Sequence, residues 1–354
     1  MANNSKEPKP VVFIGASDVI CGKVIEYFAA ASKARIVLAD ADEVAIRQAT
    51  PNLPAERATF RKVKTFEPSE LQKIVAGAGL VVLGAQPYYK TSRLVLAACL
   101  DAKIPYLDYS DDVASTQESL ELFERAKQQD VPCYINCGAS PGMTNLMAVD
   151  AAKDLDTVEG IDAGWCVTDE GGENGKEVLE HLMHIAAGPC LTWADGKATI
   201  HENWVETSYA PIVPGHPNIL LHETVHPEPV TLPRAFPMAK RIRCIGTINP
   251  APFNGFAQGL ATAVRTGALT MDEATGFLWT LAKKSTKKST PNGWGPALGA
   301  FTRRLRGGDI TFKELYQLAS HIAGSLRPWH HALRGMIDQI RSGESSTLQV
   351  IYAS

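Results

Sequence analysis

The nine-residue segment HPEPVTLPR, at 226–234, combines three side chains that can do chemistry with three prolines. His226 and Glu228 can donate or accept a proton, and Arg234 can bind a carboxylate through two parallel hydrogen bonds. Because each proline fixes one backbone torsion, the pattern predicts a rigid extended segment that holds these side chains in place. The alternative is a structural edge segment whose charges are paired with one another.

A second segment, CGASPGMTNL, combines a turn with a helix start. Pro141 and Gly142 predict a sharp turn, and Thr144 is placed to cap a helix that begins at Asn145. The backbone N–H groups at such a helix start can bind a substrate in a cleft between domains. The alternative is a turn and a cap without a ligand.

Polar residues follow two apolar runs that predict neighbouring strands. The run GLVVLGA ends at Ala85 and is followed by Gln86 and Pro87. The run IPYLDYS has Asp108 and Tyr109 near its end. In a parallel sheet, ligands bind at the carboxyl ends of the strands, so both tips are predicted to line a ligand site. The alternative is the ordinary polarity of loops.

The turn GASDVICG, at 15–22, follows the first apolar run, VVFI. Gly15 and Gly22 would allow the backbone to approach a pyrophosphate, which binds at the positive N-terminus of the next helix. Ala16 and Ser17 lie in the same turn. The spacing departs from the G-x-G-x-x-G pattern of dinucleotide-binding domains.

An acidic residue, Asp40, ends the second predicted strand. An acid at this position accepts hydrogen bonds from the ribose hydroxyls and repels a 2′-phosphate, which favours NAD over NADP. The alternative is that Asp40 caps the following helix.

Strand-like runs alternate with helical stretches through the first part of the chain, and this alternation predicts an α/β fold with a Rossmann-type, doubly wound parallel sheet. Beyond it, the Asp195-Gly196 turn predicts a hairpin, and further β-prone runs predict a second α+β domain with a mixed sheet. We place the domains at 1–140 and 141–324, with 325–354 as a candidate for completing the first domain.

The composition excludes several classes of protein. Of 354 residues, 35 are Lys or Arg and 38 are Asp or Glu, so the net charge of −3 argues against a nucleic-acid partner. The 45% hydrophobic residues suit a globular core, and no apolar run is long enough for a membrane span. The N-terminus lacks the apolar stretch of a secretory signal, so we expect a cytoplasmic protein with reduced cysteines. A homodimer is the expected assembly.

No metal site is expected from the sequence. His181 and His184 would share one helix face but lack a third ligand at a diagnostic spacing. Cys133 and Cys137 have no second cysteine pair and are expected to be small buried hydrophobic residues.

The sequence resembles the saccharopine dehydrogenase-like family, which includes saccharopine reductases, lysine 6-dehydrogenases and carboxynorspermidine dehydrogenases. The resemblance rests on the order and spacing of three segments and continues to about residue 250. They are GAQPYYKTSRLVLAACLDAKIPYLDYSDD (84–112), CGASPGMTNLMAVDAA (137–152) and HPEPVTLPR (226–234).

The resemblance implies an N-terminal Rossmann domain, a second domain with most substrate contacts, and hydride transfer between a nicotinamide and a carbon–nitrogen bond through an imine. It also assigns roles by motif. These are Gly15, Ala16 and Gly22 at the pyrophosphate, Asp40 at the ribose, Ala85, Gln86 and Pro87 facing the cofactor, and Asp108 and Tyr109 beside the nicotinamide.

The resulting hypothesis is an NAD(P)-dependent oxidoreductase acting on a C–N bond of an amino acid, keto acid, polyamine or opine-like substrate. Arg234, Glu228, Thr144 and Asn145 are the candidate substrate-binding residues, and Asp108, Tyr109 or His226 would assist proton transfer. Two alternatives remain: a reductase of a C=O or C=C bond on the same scaffold, and a non-catalytic dinucleotide sensor or interaction protein.

Overall fold

The structure is a computed structural model that describes most of the chain in two compact units, residues 1–138 and 139–354. The boundary lies two residues before the predicted one. The described residues are 9–153, 155–168, 175–210, 219–249, 252–285, 298–301 and 348–353.

The first unit is built on a six-stranded sheet in which every pair of neighbouring strands is parallel. Its strands are β1 (Val11–Ile14), β2 (Ile36–Asp40), β3 (Ala58–Lys62), β4 (Leu80–Leu83), β5 (Tyr106–Asp108) and β6 (Cys133–Tyr134). The order β3-β2-β1-β4-β5-β6 is that of a Rossmann-type sheet, which confirms the predicted fold.

Helices cover both faces of this sheet. They are α1 (Val19–Ala31), α2 (Glu43–Ala49), α3 (Pro68–Val75), α4 (Tyr88–Ala102), α5 (Val113–Leu120) and α6 (Phe123–Gln129), with a 3₁₀ helix at Ala55–Arg57. Leu71 and Leu96 pack against one face of β1, and Ile25 and Ile46 belong to the apolar cluster on the other. Burial on both faces explains why the central strands β1 and β4 are continuously apolar.

The second unit contains a larger mixed sheet. Its strands are β7 (Gly160–Thr168), β8 (Cys190–Ala194), β9 (Lys197–His201), β10 (Val205–Ala210), β11 (Ile219–Glu223), β12 (Arg241–Asn249), β13 (Leu298–Phe301) and β14 (Leu348–Ala353). The order is β10-β11-β12-β7-β14-β13, and β8 pairs with both β12 and β9. Strand β7 is parallel to β12 and β14, whereas the other pairs are antiparallel, which confirms the predicted mixed sheet.

The described α-helices of the second unit are α7 (Met143–Ala152), α8 (Gly175–Ala187), α9 (Glu228–Thr231), α10 (Pro252–Arg265) and α11 (Met271–Ser285). Three of them pack around one apolar cluster. Met183, Ala257 and Leu278, from α8, α10 and α11, are fully buried in this cluster beside Trp165 and Trp204. No helix in the described part of the chain is long and apolar enough to cross a membrane.

The predicted hairpin is present, because Asp195 and Gly196 join β8 to β9 with positive φ values of 51° and 76°. The prediction of an extended segment at 226–234 is wrong. Residues Glu228–Thr231 form α9, and Leu232–Arg234 continue as a 3₁₀ helix. Proline suits the first turn of a helix, since its fixed φ is helical and its missing N–H would have no partner there.

The C-terminal strand does not complete the first sheet. Leu348–Ala353 pairs with β7 in the second sheet, so this part of 325–354 belongs to the second unit. The strand is apolar and β-prone, and it fills the place between β7 and β13.

Candidate functional site

The glycine turn of the first unit brings two strand ends close together. Gly15 follows β1 with a positive φ of 86°, and a Cβ added to it would lie 2.3 Å from the backbone nitrogen of Ala85. A Cβ on Gly22 would lie 2.2 Å from the carbonyl oxygen of Ala49, where α1 packs against the end of α2. Both glycines are therefore required by close backbone contacts, one between strand tips and one between helices.

A third close contact lies under the turn. A Cβ on Gly84 would lie 2.3 Å from the Tyr109 hydroxyl oxygen and 2.6 Å from Cys21 Sγ. Burial raises the pKa of Cys21 to about 12 and raises that of Tyr109 far above its usual range. Both groups are therefore neutral at pH 7, and Tyr109 packs beneath the turn.

Asp18 occupies the N-terminus of α1, where a bound anion would be expected. It is the N-cap, and its Oδ1 accepts a hydrogen bond of 2.9 Å from the Cys21 amide. Gln86 Nε2 donates to Asp18 Oδ2 at 3.4 Å. A carboxylate of the protein thus takes the helix-terminal position that a pyrophosphate occupies in dinucleotide-binding domains.

Asp40 lies at the tip of β2, beside the same turn. Its Oδ2 accepts hydrogen bonds from the amide and the hydroxyl of Ser17, at 2.9 and 2.8 Å. The N-cap of α2 is Asp42, whose carboxylate accepts a hydrogen bond from the Val44 amide, so the alternative of Asp40 as a helix cap is wrong. Ribose binding by Asp40 stays a prediction.

The backbone of this turn suits a bound dinucleotide, whereas one of its side chains, Asp18, does not. The positive φ of Gly15 and its close approach to Ala85 are the backbone features that the first turn of a dinucleotide-binding domain needs. Pyrophosphate binding by Gly15, Ala16, Ser17 and Gly22 stays a prediction, as does ribose binding by Asp40, whose carboxylate is hydrogen-bonded to Ser17. Asp18 would repel the negative charge of a pyrophosphate.

Asp108 is an anchor inside the protein. It is 1% exposed, and its carboxylate accepts hydrogen bonds from the Tyr106 hydroxyl and the amides of Ser110 and Asn136, at 2.7, 3.1 and 2.8 Å. Desolvation by burial raises its pKa from 3.8, and the three hydrogen bonds oppose this. The arrangement fixes the exits of β5 and β6, and proton transfer by Asp108 stays a prediction.

The second unit gathers four of the sequence-predicted residues in or beside one cluster. Glu228 is fully buried, and its Oε1 accepts hydrogen bonds from the hydroxyls of Ser140 and Thr144, at 2.5 and 2.8 Å. Asn145 donates from Nδ2 to the Thr231 hydroxyl at 2.8 Å, which joins α7 to α9. Helix α7 begins at Met143, so the prediction that Thr144 caps it is wrong. Thr144 lies inside the first turn, where its hydroxyl turns to Glu228.

His226 lies against the other oxygen of Glu228. Its Nδ1 is 3.5 Å from Glu228 Oε2 and 3.4 Å from Ser140 Oγ. Glu228 Oε2 is buried without a hydrogen-bond partner among the described residues. Burial acts to raise the pKa of Glu228, but His226 and the two hydroxyls together lower it below 4.5. Glu228 is therefore a buried carboxylate that stays ionised.

The cluster also contains residues that the sequence did not reveal. Cys244, in β12, is 1% exposed, and its Sγ lies within 4.8 Å of ligand atoms of His226 and Glu228. Ser140 was inside a quoted motif, next to Pro141, but no local pattern linked it to Glu228. Arg234, by contrast, is exposed at the end of the 3₁₀ helix.

Comparisons with known proteins agree with the fold of the first unit. Residues 11–133 match the family model of the saccharopine dehydrogenase NADP binding domain. Apo histidine-tagged saccharopine dehydrogenase (L-Glu forming) from Saccharomyces cerevisiae is 15% identical, with a TM-score of 0.50 over 72% of this chain and 59% of that chain. The match thus spans 59% of the yeast enzyme's length.

Two further solved structures are similar to smaller parts of the chain. A short-chain dehydrogenase/reductase (wide type) from Veillonella parvula, in complex with NADP, is 16% identical over 36% of this chain and 67% of that chain, with a TM-score of 0.29. A Rossmann-fold NAD(P)-binding family protein from Shigella flexneri is 14% identical over 36% and 65%, with a TM-score of 0.28.

These findings confirm the predicted resemblance to a saccharopine dehydrogenase-like family: the family model supports a dinucleotide-binding domain at 11–133, and the yeast enzyme shares the fold. The matched domain is described as NADP binding, so the predicted preference for NAD over NADP gains no support.

Proposed function

We propose that the protein is an NAD(P)-dependent oxidoreductase that acts on a C–N bond of an amino acid or polyamine substrate. The family match supports the cofactor class, and a nicotinamide, when bound, supplies or accepts the hydride. The substrate class rests on the second unit.

The observation that carries this substrate class is the ionised, buried Glu228. Ser140 and Thr144 hold one of its oxygens, and the other has no hydrogen-bond partner among the described residues. A buried carboxylate stabilises a nearby cation far more than it would in water. An iminium or ammonium substrate is a cation, whereas the oxyanion formed in carbonyl reduction would be repelled by the same group.

Two further residues would complete the reaction. His226 lies next to Glu228 and would hold or move the proton of the amine nitrogen. Arg234, exposed at the end of its 3₁₀ helix, would bind the carboxylate of an amino-acid substrate.

The test is a screen of keto acids with and without amines, monitored by NADH or NADPH absorbance. We expect turnover only when an amine and a carbonyl compound are both present, or when a secondary amine is offered for oxidation. Glu228→Gln should lower kcat/KM about 100-fold, or about 2.7 kcal/mol of transition-state stabilisation. The control is Glu159→Gln, an exposed acid paired with Lys240, which should leave turnover unchanged. Turnover of keto acids without amines would contradict the proposal and favour a C=O reductase.

One observation favours a second candidate, a protein that binds a dinucleotide without turnover. The Asp18 carboxylate at the start of α1 opposes a pyrophosphate. This candidate predicts measurable cofactor binding with no reaction against any amine or carbonyl compound in the screen.

A further inference from the structure

A second group of potential ligands lies on the sheet of the second unit, apart from the Glu228 cluster. Cys190 begins β8 and His201 ends β9, and these two residues are register partners in the hairpin. Glu223 ends β11. One ligand atom from each residue, a thiol sulfur, an imidazole nitrogen and a carboxylate oxygen, lies within 4.8 Å of the other two.

The orientation of His201 is fixed by the backbone. Its Nδ1 lies 2.8 Å from the carbonyl oxygen of Glu202, and a carbonyl can only accept a hydrogen bond, so Nδ1 carries the proton. In the neutral ring, Nε2 then presents a lone pair toward Glu223. A ring nitrogen held in this way by a backbone carbonyl is the usual arrangement of a histidine that binds a metal.

The contact between His201 and Glu223 brings two potential ligand atoms together, since Nε2 and Glu223 Oε1 are 2.8 Å apart. The buried Cys190 sulfur beside them adds a soft donor, which a zinc-type ion prefers.

The surroundings are compatible with a cation. Arg243 Nη1 lies 3.7 Å from Glu223 Oε2, but Arg243 is bound by both oxygens of Asp162, at 2.7 and 3.0 Å. Arg241 Nη2 lies 3.3 and 3.4 Å from the same two oxygens, so two arginines share the Asp162 carboxylate. Arg243 faces Oε2 of Glu223, whereas Oε1 lies toward His201. Cys190 is fully buried and the Glu223 side chain is 11% exposed, whereas the His201 side chain is 33% exposed and gives solvent access to the site.

We propose that Cys190, His201 and Glu223 bind one Zn²⁺ ion, with a water molecule as the fourth ligand. Zinc bonds of about 2.0 to 2.3 Å place tetrahedral ligand atoms about 3 to 4 Å apart, so the three side chains need only small movements. On binding, the thiol proton is released to solvent, and the thiolate and the carboxylate together balance the charge of the ion. The ion would fasten the β8–β9 hairpin to the end of β11. This role is independent of the proposed oxidoreductase activity.

The test uses Co²⁺ as a spectroscopic substitute for zinc on the purified full-length protein. Thiolate ligation gives Co²⁺ a near-ultraviolet charge-transfer absorption, and tetrahedral geometry gives intense visible bands. We expect both in the wild type at one equivalent, with bleaching by Zn²⁺. Cys190→Ser should abolish the charge-transfer band, and His201→Ala should weaken binding at least tenfold.

Cys244→Ser provides the matched control, since Cys244 belongs to the other Cys, His and Glu group of the same unit. It should leave the spectrum unchanged. Because Cys190 is buried and its substitution can destabilise the fold, the partly exposed His201 variant, checked by circular dichroism, carries the same conclusion. A wild type without the bands, bands that survive in both Cys190→Ser and His201→Ala, or bands lost only in Cys244→Ser would each overturn the proposal. Calorimetry with NADPH is unaffected by this outcome and tests the proposed function separately.

Discussion

Each unit contains an almost completely buried carboxylate whose pKa is shifted, Asp108 in the first and Glu228 in the second, and the two shifts are in opposite directions. Asp108, in the first unit, accepts three hydrogen bonds from neutral donors, and its pKa is raised. Glu228, in the second, accepts two hydrogen bonds from hydroxyls and lies beside His226, and its pKa is lowered. Desolvation by burial has the largest single effect on each group, and in both it acts to raise the pKa.

The difference comes from the partner. Neutral donors stabilise the carboxylate at Asp108, but less than desolvation destabilises it. At Glu228, the interaction with His226 adds to the hydroxyl bonds and outweighs desolvation. Burial alone therefore does not identify a functional acid. Glu228, which stays ionised and whose second oxygen contacts only the His226 ring at 3.5 Å among the described residues, is the one suited to bind a cation.

The largest expected effect is on the stability of the second unit. Glu228→Ala leaves the hydroxyls of Ser140 and Thr144 and the ring of His226 buried without their acceptor. Removing one member of such a buried group should cost about 3 kcal/mol in the free energy of unfolding. The measurement is the urea midpoint followed by tryptophan fluorescence. A loss no greater than that of Glu159→Ala, an exposed acid, would mean that the cluster is not a stabilising network.

The next largest expected effect concerns the glycine turn that follows β1, in the same unit as Asp108. Gly15→Ala combines a positive φ with a Cβ 2.3 Å from the Ala85 nitrogen, so it should cost about 2 kcal/mol of stability and abolish dinucleotide binding. Gly77→Ala is the matched control, because Gly77 has a φ of 76° but nothing within 4 Å of the new Cβ. It should cost about 1 kcal/mol and leave binding intact. Equal effects of the two changes on binding would show that the close approach at Gly15 is unimportant.

A third carboxylate, Asp18, is expected to oppose function. Asp18→Asn keeps the helix cap but removes a negative charge from the position of the pyrophosphate, so NADPH should bind about tenfold more tightly, or about 1.4 kcal/mol. Asp42→Asn makes the same change at the cap of α2, where it should alter affinity less than twofold. The Kd values from calorimetry at low salt decide this. Weaker binding in Asp18→Asn would indicate that the carboxylate contacts the cofactor favourably.

The smallest expected effect is on the pH dependence of the free energy of unfolding, to which Asp108 and Glu228 contribute in opposite directions. Between its ordinary value of 3.8 and its raised pKa, native Asp108 retains a proton that the unfolded chain has lost, so its contribution to stability falls as pH rises. The contribution of Glu228 is present above its ordinary value of 4.5 and is lost as pH falls through its lowered native pKa.

The corresponding variants separate these two slopes. Over about pH 3 to 7, Asp108→Asn should remove the part of the fall in unfolding free energy that occurs as pH rises. Glu228→Gln should remove the part that is lost as pH falls. Each change in unfolding free energy should be less than about 1 kcal/mol. The measurement is the urea midpoint at each pH. Identical pH profiles for both variants and the wild type would contradict the opposite pKa shifts.

Local patterns predicted most of the fold. The apolar runs of the first sheet, the Asp195-Gly196 hairpin and the mixed second sheet follow from periodicity and turn chemistry, which depend on neighbouring residues. The segment at 226–234 was wrongly predicted as extended because proline is equally suited to an extended chain and to the first turn of a helix.

The candidate site was predicted only in part. The chemistry of the side chains identified His226, Glu228 and Thr144 as candidates. The hydrogen bonds that assemble the cluster join residues more than 80 positions apart. Cys244 lies in an ordinary buried strand, and the group of Cys190, His201 and Glu223 is assembled by the pairing of β8 with β12 and β9. Sequence spacing carries no signal for such a group.

The most direct test of the account is calorimetric titration of the purified protein with NADPH and with NADH. We predict one site per chain with a Kd in the micromolar range for at least one of them, or about −8 kcal/mol. The ratio of the two Kd values tests whether Asp40 selects against a 2′-phosphate. No binding of either cofactor at millimolar concentration would contradict the dinucleotide-dependent oxidoreductase.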